Sequence, residues 1–250
     1  MTEYFRLTLE LMLFLPGMLL AYLPMKQYLR MRPAKLAAVT VPLILVLCLA
    51  GSAASCFFHI GIVWIFCPVV VIMGSFYVHT LKITRWKSVS VFLAICAVFS
   101  CFGSAAVAAN SLLSPGKSAP PLSLRGALLW FVLCCVSVLA VWYPTTHATR
   151  KLLEEDAFAQ TWYIFWILPV LFIGINLAMI PQNPDILEQG RLRQLYILFS
   201  LVLLILLLLF YFLFYLMASS LNRNARLRLE NQFLSMQQTR YDNLLTTTWQ

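Results

Sequence analysis

Residues 194–218 contain no charged side chain. At about 1.5 Å per residue, a helix over that range is about 37 Å long, more than the roughly 30 Å hydrocarbon core of a bilayer. In lipid the backbone must satisfy its own hydrogen bonds, which a helix does. Six further apolar stretches, near 5–24, 37–58, 61–81, 88–109, 125–147 and 158–180, are of comparable length. The sequence therefore predicts an all-α, polytopic membrane bundle of seven transmembrane helices. The first stretch is the weakest, because Arg6 and Glu10 lie near its start and Pro16-Gly17 interrupts it. Composition agrees: the chain is 62% hydrophobic and 11% charged, whereas soluble domains carry about 25% charged residues.

Charge sets the orientation. Lys26, Arg30, Arg32, Lys35, Lys82, Arg85, Lys87, Arg150, Lys151, Arg223, Arg226, Arg228 and Arg240 fall on one side of the predicted spans, thirteen cations in all. Arg6, Lys117, Arg125, Arg191 and Arg193 fall on the other, five in all. Positive loops stay in the cytoplasm, so the N-terminus is expected outside and the C-terminal segment inside. The net charge of +9 suits membrane orientation rather than nucleic-acid binding, because the cations form short clusters between apolar runs. The N-terminus lacks the basic cluster and small-residue cleavage site of a secretory signal.

The loops are short. His59-Ile60-Gly61 is expected to form a tight hairpin, and 110–124 and 181–194 are rich in Pro, Gly and Ser or otherwise loop-like. None of them can hold an extracellular domain. No domain boundary is evident before 219, giving a membrane domain over 1–218 and a helical segment over 219–250. Pro42, Pro68 and Pro169 do not recur at equivalent positions in two halves, which argues against an inverted-repeat transporter.

Polar groups inside spans are costly and so become functional candidates. Arg6 and Glu10, four residues apart, share a helix face near the outer end of the first span, where interfacial solvation or a ligand contact is expected. Asn176 lies in the sixth span and is expected to bond between helices or to touch a ligand. These three are the candidate ligand-binding residues. Small residues recur at four-residue spacing in Ser100, Ser104 and Ala108 and in Cys101, Ala105 and Ala109, the pattern of close helix packing or of a homodimer face. The seven cysteines, Cys48, Cys56, Cys67, Cys96, Cys101, Cys134 and Cys135, lie in apolar runs without metal-site spacing. His59, His79 and His147 lie at span ends as interfacial residues, and Trp162 to Trp166 resembles an aromatic anchor. No catalytic motif, metal site or phosphate-binding loop occurs.

Beyond Leu221 the composition turns polar, but no Gly or Pro occurs after Gly190. Arg, Leu, Glu, Gln and Met favour helix, so the last span is expected to continue as one helix about 40 Å into the cytoplasm. Ala225, Leu229, Gln232 (or Phe233) and Met236 follow the four-three spacing of a coiled-coil seam, the expected dimer helix. The other reading of this segment is an amphipathic helix lying on anionic lipid.

Arg228 to Leu245, with Glu230-Asn231, Gln237-Gln238, Tyr241 and Leu244-Leu245, resembles the helix that follows the membrane sensor of GHKL-type histidine kinases of Gram-positive bacteria, the class that includes Agr-type quorum-sensing receptors. The resemblance implies a multi-pass bacterial cell-membrane sensor, homodimeric, that answers a peptide or amphipathic ligand. It implies a histidine-kinase output using ATP and Mg and acting on a response regulator. All three histidines lie upstream of Leu221, so the phosphoacceptor and ATP-binding domains of the family have no counterpart here, and the chain is expected to be the sensing part of a truncated kinase or, as the second reading, a stand-alone sensor that pairs with an intact kinase through the helix. The alternative expectation is a small transporter or lipid-handling protein whose C-terminal segment lies on the membrane surface.

Overall fold

The computed structural model describes residues 2–58, 62–113, 122–144, 162–179 and 190–248. The described residues form helices α1 (Thr2–Leu11), α2 (Phe14–Tyr22), α3 (Pro33–Phe58), α4 (Ile62–Thr80), α5 (Arg85–Leu113), α6 (Leu124–Pro144), α7 (Trp162–Phe165), α8 (Ile167–Met179) and α9 (Gly190–Thr248). A 3-10 turn spans Lys26–Tyr28. The segments Glu3–Tyr22, Pro33–Phe58, Arg85–Asn110 and Arg191–Leu213 are long and apolar enough to cross a membrane. Three shorter apolar helices, Trp64–Thr80, Leu124–Ala140 and Ile167–Met179, occupy the other predicted stretches. The described residues thus form helices and no strand, as expected of a membrane protein. The expected hairpin at 59–61, most of the two longer loops, and His59 and His147 lie outside the described residues.

Large apolar side chains cover the outside. Phe57 (86% exposed), Trp64 (76%) and Leu139 (74%) belong to an apolar surface too extensive for a soluble protein. Along α9, Leu198, Leu201, Ile205, Leu208 and Phe212 are likewise exposed. Hydrocarbon is the environment in which such a surface is unstrained.

Two of the apolar stretches are broken, and proline sets both breaks. Pro16 has no N–H to donate to Met12, and its ring crowds that carbonyl. The helix therefore ends four to three residues upstream, at Met12–Leu13, rather than at Pro16-Gly17 as the sequence suggested. Leu15 N takes the Met12 carbonyl instead (3.0 Å) and Gly17 N takes that of Leu13 (3.1 Å). Pro16 falls in the first turn of α2, where a missing donor costs nothing. Pro169 does the same to the sixth apolar stretch: α7 ends at Phe165, Trp166 is a turn, and Val170 N reaches the Trp166 carbonyl (3.3 Å). The two breaks do not meet. Leu13 packs with Phe99 of α5, whereas the Trp162 carbonyl accepts from Ser90 of α5 (3.3 Å).

Helix α5 is the hub, touching α2, α4, α6, α7, α8 and α9. Its small residues allow this. A Cβ on Gly103 would lie 2.7 Å from Trp130 Cζ2 of α6. Toward α8 and α9 the contact line is Ala97, Cys101, Ser104 and Ala108, all buried. These residues combine the two small-residue rows read from sequence, and they are consumed in packing within the bundle.

Candidate functional site

Helix α9 is one uninterrupted helix of 59 residues, about 90 Å long at 1.5 Å per residue. It runs without a break through Ala218–Asn224, where the apolar sequence gives way to the charged one. Its first half packs on α5 and α8. The packed face repeats at helical spacing: Tyr196, Ser200, Leu203 and Leu207 are buried, with Tyr211 half-buried. The chain direction is antiparallel to α5, because Tyr196 packs with Ala106, Val107 and Ala108 while Leu203 and Leu207 pack with Ala97 and Cys101.

This face is polar in an unusual way. The hydroxyls of Tyr196, Ser200 and Tyr211, and the Nε of Arg193, are buried without a hydrogen-bond partner. Tyr196 lies toward Ser104 without reaching bonding geometry. Unfilled donors in hydrocarbon destabilise the arrangement that leaves them so. The α9 contact is therefore weakly determined by polar bonds and rests on side-chain packing. The sequence carried the signal: hydroxyl-bearing residues at 196, 200 and 211 stand out in a leucine-rich run, at helical spacing.

Beneath it, Asn176 ties α8 to α5. Its Oδ1 accepts from Ser104 Oγ at 2.8 Å. Its Nδ2 donates to the Phe172 carbonyl at 3.0 Å and approaches Cys101 Sγ at 3.2 Å. All three bonds are made within the bundle, and Asn176 is buried. Asn176 thus makes the interhelical bond anticipated from its place in the apolar stretch.

Arg6 and Glu10 sit elsewhere, in the contact of α1 with α3 and α6. Arg6 Nε lies 3.5 Å from Glu10 Oε1, and Arg6 Nη1 donates to the Leu122 carbonyl at 3.1 Å. Glu10 is only 4% exposed, so the solvated interfacial carboxylate expected from sequence is instead packed away. The reason is local. α1 closes on α3, where a Cβ on Gly51 would lie 2.9 Å from Leu11 Cδ1, and Thr8 reaches Ser52 Oγ at 3.1 Å. The pair fastens α1 to the segment entering α6. It is not brought near Asn176, so the three candidate ligand residues form two separate polar nodes.

A third node was not anticipated. Tyr77, fully buried, donates to the Ala21 carbonyl at 2.8 Å, and its ring lies 5.0 Å from that of Tyr22. The Tyr22 hydroxyl lies 2.8 Å from Thr80 Oγ1. Beyond them Leu29 and Leu81 form an antiparallel β-bridge, with Arg30 N donating to the Thr80 carbonyl (2.9 Å) and Lys82 N to that of Tyr28 (2.7 Å). Bonds between residues about 50 positions apart leave no periodic trace in the sequence.

The proposed dimer residues Ala225, Leu229, Gln232, Phe233 and Met236 all lie within the second half of α9. Gln232, Phe233 (61%) and Met236 (66%) are exposed; the side chains of Ala225 and Leu229 lie outside the described ones. A second apolar line, Leu227 and Leu234, is also exposed. At 100° per residue it falls on the opposite side of the helix, so the extension is apolar on two faces. Among the described residues no group of three or more His, Cys, Asp or Glu is placed to hold a metal, and all seven cysteines are free.

No family model, curated protein or solved structure matches the chain.

Proposed function

We propose that this chain is the membrane-embedded sensory module of a two-component signalling system. In this reading the seven apolar segments all span a bacterial cell membrane, the N-terminus is outside, and the second half of α9 is cytoplasmic. A peptide or amphipathic ligand perturbs the bundle, and α9 carries the change to a histidine-kinase output that uses ATP and Mg and serves a response regulator. The observation that supports it best is the unbroken course of α9 from the bundle into an exposed, partly apolar extension. A continuous helix transmits rotation, tilt or axial displacement, which a Gly/Ser linker does not. The weakly bonded α9 contact suits such motion, since few polar bonds fix its register.

Signalling through a helix of this kind needs a partner helix, and the proposed state is a parallel homodimer through Ala225, Leu229, Gln232 and Met236. The test is the mass of the purified protein in detergent or nanodiscs. Leu229→Asp with Met236→Asp is expected to convert dimer to monomer without changing the bundle's melting temperature. A dimer mass unaffected by the double substitution would argue against the reading.

A further inference from the structure

Charge at one end of the bundle is organised by backbone pairing, not by adjacency in sequence. The Leu29–Leu81 bridge, with its two backbone bonds, holds the segment 26–35 against the segment 80–85. Arg30 strengthens the junction, its Nε donating to the Leu81 carbonyl at 2.8 Å. Lys26, Arg30, Arg32, Lys35, Lys82 and Arg85 are thereby gathered at one end, and all six are exposed. No Asp or Glu occurs between Glu10 and Glu154, so neither segment brings its own counter-charge.

Other features add to the same potential. α3 and α5 both begin here, at Pro33 and Arg85, so their positive dipole ends face the same way. Because α9 packs antiparallel on α5, it leaves the bundle at this end, with Arg223 and Arg228 exposed beyond. The apolar side chains Met31 and Trp86 stand exposed among the cations. Trp at such a level favours the boundary between headgroups and acyl chains, and the surface is bordered by helices whose outer faces are apolar. A soluble anion has no use for that apolar border; a phospholipid fits both parts.

We propose that this end of the bundle binds anionic phospholipid headgroups. The phosphodiester oxygens are held by Arg32, Lys35, Lys82 and Arg85, while Met31 and Trp86 lie among the upper acyl carbons. Arg30 acts in another way, fixing the two segments together through Leu81. Each cation near an anionic membrane surface strengthens attraction about fivefold. The proposal is independent of the signalling role, since it concerns only which lipid this end retains.

The full chain is reconstituted into nanodiscs of equimolar phosphatidylcholine and phosphatidylglycerol, extracted into mild detergent, and its retained lipids are counted by native mass spectrometry. Phosphatidylglycerol is expected to be retained over phosphatidylcholine by tenfold or more (order of magnitude from the per-cation effect). The variant R32Q/K35Q/K82Q/R85Q is expected to lose that preference, and R32K/R85K to keep it. R125Q/R191Q/R193Q, which removes cations from the other end, is expected to keep it as well. Equal retention of the two lipids by the wild-type protein overturns the proposal. So does an undiminished preference in the glutamine variant, or a loss confined to the other-end variant. Inorganic phosphate is added as competitor; if it strips the phosphatidylglycerol, the site takes a soluble anion and the lipid assignment fails. Should the glutamine variant not fold, the wild-type preference is measured from low to high salt. Screening is expected to reduce it, and a preference indifferent to salt overturns the proposal.

Discussion

Asn176 and Ser104, 72 positions apart, are joined by a 2.8 Å hydrogen bond between the carboxamide oxygen and the hydroxyl, across the contact of α8 with α5. Neither water nor lipid headgroup reaches it, as both side chains are buried. Interhelical bonds of this kind in membrane proteins contribute about 0.6–1.7 kcal/mol. Asn176→Leu keeps the volume and removes the acceptor, while Ser104→Ala removes the donor. Each is expected to cost about 1 kcal/mol of unfolding free energy in mixed micelles. Because both act on one bond, the double variant is expected to cost less than the sum. Strict additivity would show that the bond is not made in the membrane.

Packing around the hub helix gives a second prediction with opposite signs at two glycines. At Gly103 an added methyl meets Trp130 at 2.7 Å, and that ring cannot withdraw freely because its Nε1 donates to the Phe99 carbonyl at 3.1 Å. Gly103→Ala is expected to destabilise by about 1–3 kcal/mol. At Gly174, inside α8, nothing lies within 4 Å of the added carbon. Gly174→Ala is expected to stabilise by about 0.5–1 kcal/mol, by removing a flexible residue from a helix interior. Thermal unfolding of the two variants side by side checks both signs.

The positions of the helices were legible because membrane length and apolar composition act locally and strongly. Where the structure describes them, the seven apolar stretches are helical apart from short breaks, and the continuity of α9 follows from the lack of Gly or Pro after Gly190. Asn176 stood out for the same reason, as a costly group in an apolar run. What sequence did not convey depends on tertiary approach. Proline displaced the first break upstream to Met12–Leu13, since the ring acts on the carbonyl four residues before it. The burial of Glu10 is not legible in sequence, because it depends on how closely α1 meets α3 at Gly51. The pairing of Leu29 with Leu81 has no local signature.

The clamp around Tyr77 yields a third prediction. Tyr77→Phe keeps the ring against Tyr22 and Phe92 but removes the bond to the Ala21 carbonyl. A net loss of about 1 kcal/mol is expected. Tyr22→Phe is expected to cost less, because Thr80 keeps its bond to the Tyr77 carbonyl at 2.8 Å. Hydrogen exchange supplies the specific readout. The amides of Arg30 and Lys82, which close the Leu29–Leu81 bridge, are expected to exchange faster in Tyr77→Phe. Unchanged protection there would show that the bridge stands without the tyrosine.

The two apolar faces of the α9 extension separate a coiled-coil seam from other uses of the same helix. Leu229 and Met236 share one side with Ala225 and Gln232; Leu227 and Leu234 lie seven residues apart on the other. If the first face is the dimer seam, a photo-crosslinking residue at 229 or 236 is expected to give covalent dimers, and one at 227 or 234 is not. Leu227→Asp with Leu234→Asp is then expected to leave the dimer mass intact, in contrast to Leu229→Asp with Met236→Asp. The reverse pattern would move the seam to the Leu227–Leu234 line, where identical residues at a and a′ positions would meet in register. Crosslinks from both faces would instead indicate that each extension packs against two neighbours, as in a four-helix arrangement, and would account for apolar side chains on opposite sides of one exposed helix.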